Sequence, residues 1–200
     1  MDLRSYFPIF QNNPELVFLD SASSSQKPGY VIDEIARFLE QDSANIHRGA
    51  YTLSERSEEL YAASKAMVKK YLNASSSAEI NYTYNATYAF NLLASSMRDA
   101  GWLQKGDKVL LSLLEHHANI VPWLHLKEMI GIEVEFIKLT PEYDLDFEDL
   151  EKKLTPEVKV VSLTAASNVT GSIIDLMRVR ELLEKKYPED NHPEFISGST

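Results

Sequence analysis

The chain has 200 residues, 44% hydrophobic and 25% charged, which is enough apolar material for a folded core and rules out a disordered tail or a fibre. Thirty acidic against 20 basic residues leave a net charge of −10, which argues against a polyanion partner: no nucleic acid and no anionic membrane face is expected. Cysteine is absent, so disulfides, zinc–thiolate sites and a cysteine nucleophile within this chain are excluded, and no apolar run approaches the roughly 18–20 residues that span a bilayer. Met1 to Ser5 carries no basic region followed by an apolar stretch, so the expected location is cytoplasmic. The sequons at Asn73, Asn81, Asn85 and Asn168 are accordingly read as chance matches.

Along the chain, helical and extended patterns alternate. Val17-Phe18-Leu19 is a short apolar run ending at Asp20, followed by a Ser/Ala-rich turn over Ser21 to Ser25. Pro28 opens a helix whose apolar positions Val31, Ile32, Ile35, Phe38 and Leu39 recur at helical spacing. A loop around His47-Arg48-Gly49 leads into a longer helix from about Leu53 to Leu72. Glu79 to Tyr84 alternates as a strand would, with Ile80, Tyr82 and Tyr84 on one face. The pattern then predicts a helix over 87–99, a strand over 109–114, a helix over 122–129, a strand over 134–137, a short helix over 146–154, a buried strand over 158–163, a helix over 175–186 and a last strand from Glu194.

Strands alternating with helices predict an α/β fold: a mainly parallel sheet with helices on both faces. Ligands of such sheets bind beyond the carboxyl ends of the strands, which directs attention to Ser21–Gln26, Asn85–Thr87, Glu115–Asn119, Ser167–Gly171 and Ser197–Thr200. Taken one at a time, these segments have bland explanations. Asn85 or Thr87 caps a helix, although free amides and a hydroxyl there also suit a phosphate. Asn168 makes an Asx-type turn, although its amide can donate to a ligand oxygen. His116 and His117 are loop histidines. Adjacent side chains in a loop rarely converge on one ion, so no metal is expected, while a planar imidazole can stack on an aromatic ligand.

Together, and in this order and spacing, the segments are more specific. Leu19-Asp20-Ser21-Ala22 with Gln26-Lys27-Pro28, Ile46-His47-Arg48-Gly49 with Thr52-Leu53-Ser54, Glu115-His116-His117-Ala118-Asn119-Ile120-Val121-Pro122-Trp123, and Ser167-Asn168-Val169 with Gly171 resemble the N-terminal half of a Suf-type cysteine desulfurase. That family is a class V aminotransferase group of pyridoxal 5′-phosphate (PLP) fold type I. The resemblance implies a truncated fold-type-I large domain over 17–200, with 1–16 corresponding to the family's N-terminal contribution to its small domain. It implies PLP as cofactor, L-cysteine as substrate, and sulfur mobilisation for iron–sulfur cluster assembly through a protein persulfide with release of alanine. By the same resemblance His116 is the catalytic and cofactor-stacking histidine, Thr87 binds the cofactor phosphate, and Asn168 contacts the ring's phenolic oxygen. Ser21, Ala22, His47 and Arg48 match the substrate side. A homodimer, or a complementing C-terminal half, is the expected partner.

The departures from that pattern matter as much. The family's Thr-Thr-Glu-Gly turn reads Ala86-Thr87-Tyr88-Ala89, and its preceding glycine is Asn85. Ser197 stands where the family has the aspartate that pairs with the pyridine nitrogen, and Thr200 where it has a glutamine. Ser197-Gly198-Ser199-Thr200 reads either as a diverged form of that motif or as a linker-like ending. The Schiff-base lysine, the catalytic cysteine and the substrate-carboxylate arginine of the family fall beyond Thr200, so the chain by itself is expected to be inactive and to hold PLP only non-covalently. Lys27 or Lys127 offers an adventitious Schiff base. The alternatives are a non-catalytic remnant or interaction protein of the same lineage, and a selenocysteine lyase or other class V enzyme.

Overall fold

The computed structural model describes residues 2–46, 49–188 and 193–198, with 194–198 described through their backbone. The chain divides into two compact units, Met1–Tyr82 and Thr83–Thr200.

The first unit is helical. A 3₁₀ turn over Leu3–Tyr6 and a short helix α1, Pro8–Asn12, precede α2, Gly29–Gln41, and α3, Thr52–Leu72. Pro28 stands at the N-cap of α2, where its missing N–H costs nothing. The apolar stripe expected on α2 is present, but Ile32, Ile35 and Leu39 are exposed. The loop between α2 and α3 is tied down by two buried serines of α3. Ser57 Oγ donates to the Asp42 carbonyl at 2.6 Å and accepts from Ala44 N–H at 3.1 Å, and Ser54 Oγ donates to the Asn45 carbonyl at 2.7 Å. The loop closes so tightly that a Cβ on Gly49 would lie 2.1 Å from Ser54 Oγ, which excludes any other residue there without a backbone shift.

The strand expected over Glu79–Tyr84 does not form. Ser76 and Glu79 instead make a reciprocal capping box around a 3₁₀ turn at Ser77–Glu79, and the turn takes the Glu79 and Ile80 N–H groups onto the Ser76 and Ser77 carbonyls. Residues 80–84 have no strand partner among the described residues, and of the alternating face only Ile80 is buried while Tyr84 is 93% exposed.

The second unit is the α/β layer structure that the alternation predicts. Four strands, β1 (Lys108–Ser112), β2 (Glu133–Ile137), β3 (Val158–Thr164) and β4 (Glu194–Gly198), pair in parallel in the order β2-β1-β3-β4. Helices α4 (Ala86–Asp99), α5 (Val121–Ile130), α6 (Phe147–Lys153) and α7 (Leu176–Lys186) complete it. Period-two alternation divides the central strands between two cores. Leu110, Val161 and Leu163 pack with Leu150, Val179 and Leu183 of α6 and α7, while Val109, Leu111 and Val160 pack with Ala94 and Met97 of α4 and Trp123 and Leu126 of α5. Both faces of the sheet are therefore covered, as parallel strands require. Gly131 ends α5 at φ 78°, the left-handed C-cap conformation that favours glycine.

Two-sided burial has a measurable signature. Leu110→Ala and Leu111→Ala, on opposite faces, are each expected to lower unfolding stability by about 2–5 kcal/mol, whereas Leu113→Ala, at a position 59% exposed, stays within about 0.5 kcal/mol. Urea unfolding of the three variants, followed by far-UV circular dichroism, distinguishes this from a sheet with one wet face.

Candidate functional site at the carboxyl edge of the sheet

Because β1 and β3 are adjacent and parallel, the loops that follow them leave the same edge. The first carries Glu115 and His116, and the second carries Ser167 and Asn168. A buried polar network joins them. Glu115 Oε1 accepts from Ser112 Oγ at 2.5 Å and from the backbone N–H of Thr164 at 2.9 Å; its Oε2 accepts from Asn119 Nδ2 at 2.7 Å. Asn119, itself 2% exposed, accepts on Oδ1 from Ser162 Oγ at 2.7 Å and from the Trp123 indole N–H at 3.0 Å. One carboxylate and one amide thus tie together the ends of β1 and β3 and the start of α5. Burial pushes the Glu115 carboxyl above the usual glutamate range, although the donors around it act in the opposite direction.

His116 follows Glu115 directly but points outward and is exposed. It caps a 3₁₀ turn over His117–Asn119: Nδ1 accepts the backbone N–H of Ala118 at 3.1 Å, and the His116 carbonyl accepts from Asn119 N–H at 2.8 Å. An accepting Nδ1 carries no proton, so the neutral ring bears its hydrogen on Nε2. The His117 ring meets it edge-on, with centroids 6.2 Å apart at 81°.

The third candidate, Thr87, lies in the first turn of α4, a helix that packs against α5 and the His117–Asn119 turn. Asn85, the residue that departs from the family glycine, is the N-cap: its Oδ1 accepts from Tyr88 N–H at 2.8 Å. The Thr87 hydroxyl and the N–H groups of Ala86 and Thr87 have no acceptor or donor partner among the described residues. At Asn168 the bland explanation also moves to a neighbour. Ser167 Oγ accepts from Val169 N–H and Thr170 N–H, both at 3.3 Å, and Gly171 closes the turn at φ 74°. The Asn168 side chain is exposed and makes no hydrogen bond among the described residues.

The substrate-side candidates divide differently. Ser21 and Ala22 lie in the first unit, on an exposed turn in which the Asp20 carbonyl accepts from Ser23 and Ser24 N–H, both at 3.2 Å. His47 and Arg48 lie outside the described residues. The residues that motif reasoning passes over are Glu115 and Asn119. Both stand inside the quoted His116 segment, and the signal for them is a carboxylate and an amide flanked by Leu113, Leu114, Ile120 and Val121, where solvated side chains are out of place.

The family model for class-V aminotransferases matches residues 17–187. The chain belongs to the class-V aminotransferase family. A cysteine desulfurase of Synechococcus elongatus is 35% identical over 186 residues, which make up 92% of this chain and 30% of that protein. A cysteine desulfurase of Pectobacterium atrosepticum is 37% identical over 174 residues, 86% of this chain and 42% of that protein. The apo structure of cysteine desulfurase from Thermococcus onnurineus superposes with a TM-score of 0.86 at 28% identity, covering 98% of this chain and 46% of that one. The chain therefore spans less than half the length of the relatives it matches. The resemblance drawn from the motifs holds, and so does the fold class. Among the described residues no helix is long and apolar enough to cross a membrane.

Two measurements follow from the geometry. If Asn85 rather than Thr87 caps α4, Asn85→Ala costs about 1 kcal/mol of stability, while Thr87→Val changes it by less than about 0.5 kcal/mol. For Glu115, the folded chain holds its proton more tightly than the unfolded chain does. The associated stability is fully present below the ordinary value of 4.5 and is lost as pH rises through the higher folded value. The stability of the wild type minus that of Glu115→Gln, measured by urea unfolding at a series of pH values, should accordingly fall as pH climbs above 4.5. A difference that is flat with pH would assign the titration to other carboxylates.

Proposed function

We propose that this chain supplies the cofactor-binding part of a PLP-dependent cysteine desulfurase, with residues 17–200 as a partial large domain and 1–16 as the segment that the family gives to its small domain. The observation that carries the proposal is a reassignment of structural duties. Asn85 caps α4 and Ser167 makes the hairpin turn, so among the described residues the Thr87 hydroxyl and the Asn168 amide are not used by the fold. Groups of ligand-binding type that the fold does not use, at the carboxyl edge of a parallel sheet, fit a bound molecule better than they fit chance.

The donor set suits PLP. The Thr87 hydroxyl and the first N–H groups of α4 would hold the phosphate, aided by the helix dipole. The His116 ring, fixed by Ala118 N–H, offers a flat face for stacking, and Asn168 a donor for the phenolic oxygen. When bound, PLP supplies an electron sink, and the protein's part is orientation and electrostatics. Ser21, Ala22, His47 and Arg48 are assigned by the resemblance to the substrate side, with L-cysteine as substrate. In the family the lysine and cysteine of the reaction lie in the C-terminal half, and the proposal leaves both to that half, with a homodimer as the family's arrangement. A cytoplasmic setting is part of the proposal, since thiol and persulfide chemistry needs a compartment that keeps thiols reduced.

PLP titration of the purified chain, followed by quenching of tryptophan fluorescence, tests the proposal. Saturable binding is expected, weakened about tenfold by each of Thr87→Val, His116→Ala and Asn168→Ala, the scale of one polar or stacking contact. Binding that survives all three substitutions, or that maps to Lys27 or Lys127 after borohydride reduction, would favour the non-catalytic remnant. Alanine release from L-cysteine by the chain alone, above the free-PLP background, would contradict the division of labour.

A further inference from the structure

The polar network gives Glu115 a duty that neither the motif nor the fold of the strands requires. Its side chain is held from three directions, by Ser112 at the end of β1, by the Thr164 amide at the end of β3, and by Asn119 on the far side of the 3₁₀ turn. Asn119 is in turn held by Ser162 and Trp123, both 0% exposed. His116 lies between Glu115 and Asn119, and among the described residues the one hydrogen bond to its ring is from Ala118 N–H on Nδ1. Ala118 is a member of the same turn, whose backbone is closed by Asn119 N–H on the His116 carbonyl at 2.8 Å. Release of Glu115 would let the turn open, and with it the donor that selects the His116 tautomer.

We propose that Glu115 is a positioning residue for His116: by clamping both ends of the 115–119 segment to the buried strand ends, it keeps the Ala118 amide on Nδ1 and so fixes the ring's direction and its Nε2–H tautomer. This rests on the reading of His116 as a ring that stacks on a bound cofactor, but the device itself needs no cofactor to be observed. Glu115 acts on the ring through the turn, by way of its bonds to Ser112, Thr164 and Asn119.

The test is ¹⁵N NMR of the histidine side chains in the full chain without PLP, with the His116 signals assigned by their loss in His116→Asn. In the wild type the neutral ring is expected to be almost wholly Nε2–H. Glu115→Ala should lower the ratio of Nε2–H to Nδ1–H about fivefold, on the scale set by one ordinary intramolecular hydrogen bond. Glu115→Gln retains the Oε1 acceptor for Ser112 and Thr164 but turns an amide donor toward the Asn119 Nδ2 donor, which releases that end of the clamp, and should give a ratio between those of the wild type and Glu115→Ala. Ser162→Ala removes a buried bond of the same network without releasing Glu115; it should lower stability and leave the ratio in place. Where Glu115→Ala does not fold, Glu115→Asp replaces it, since the shorter arm cannot span Ser112 and Asn119 together. An unchanged ratio in the folded Ala or Asp variant overturns the proposal. An equal shift in Ser162→Ala also overturns it, because general loosening would then explain the effect. A wild-type chain that fails to bind PLP but shows the expected tautomer pattern would sink the cofactor reading and leave the clamp intact.

Discussion

A carboxylate taken mostly out of water is unfavourable unless donors replace the water it loses. Glu115 is in that position, and the donors it finds belong to different elements: a hydroxyl on β1, a main-chain amide on β3 and the side-chain amide of Asn119. Each element must therefore end where it does. Were β1 one residue longer in register against β3, Ser112 and Thr164 would no longer flank the same carboxylate. Hydrogen bonds to a charged group contribute roughly 1.5–3 kcal/mol each and lose most of that when misaligned. The network accordingly adds a register key at the carboxyl edge to the ladders and apolar contacts that hold the strands.

The surrounding layers explain why such a key is needed. Parallel pairing places every strand end of one polarity on the same edge, so the loops after β1 and β3 leave side by side. Loops on an edge have few apolar contacts of their own and depend on hydrogen bonding for definition. The loop after β3 solves this locally, with Ser167 accepting two amides and Gly171 taking the left-handed conformation. The loop after β1 solves it through the buried carboxylate. Both solutions put the structural load on residues next to the candidate ligand groups, and among the described residues the Thr87 hydroxyl, the His116 Nε2 and the Asn168 amide take no part in it.

How much of this is legible in the sequence varies with the physical source of each feature. The second unit reads well because its signals are strong: Val158–Leu163 is a near-continuous apolar run, and α4, α5 and α7 repeat their apolar positions at helical spacing between turn residues. The strand expected at 79–84 fails because periodicity reports only which residues would share a face. It does not report whether a neighbouring strand exists, and the capping box at Ser76–Glu79 is a stronger local preference. The outer site residues are legible through the motif order, while local reasoning leaves the cap of α4 open between Asn85 and Thr87, which the structure gives to Asn85, and assigns to Asn168 a turn that Ser167 makes. A displacement of one or two residues is beyond what propensity resolves, since Asn, Ser and Thr all cap and turn by the same side-chain chemistry. Glu115 and Asn119 are the least legible, because their function depends on partners 43 and 49 residues away on β3.

A site whose parts are ordered by a ligand loses part of its binding free energy to that ordering. Here the ordering is done by the folded chain: the His116 ring direction, the turn that carries it and the cap of α4 are fixed by hydrogen bonds to protein groups. A ligand that met these groups would find them already ordered, so little conformational entropy would be lost at the contact. The buried network at the carboxyl edge, rather than any bound molecule, is what sets the arrangement of these outer groups.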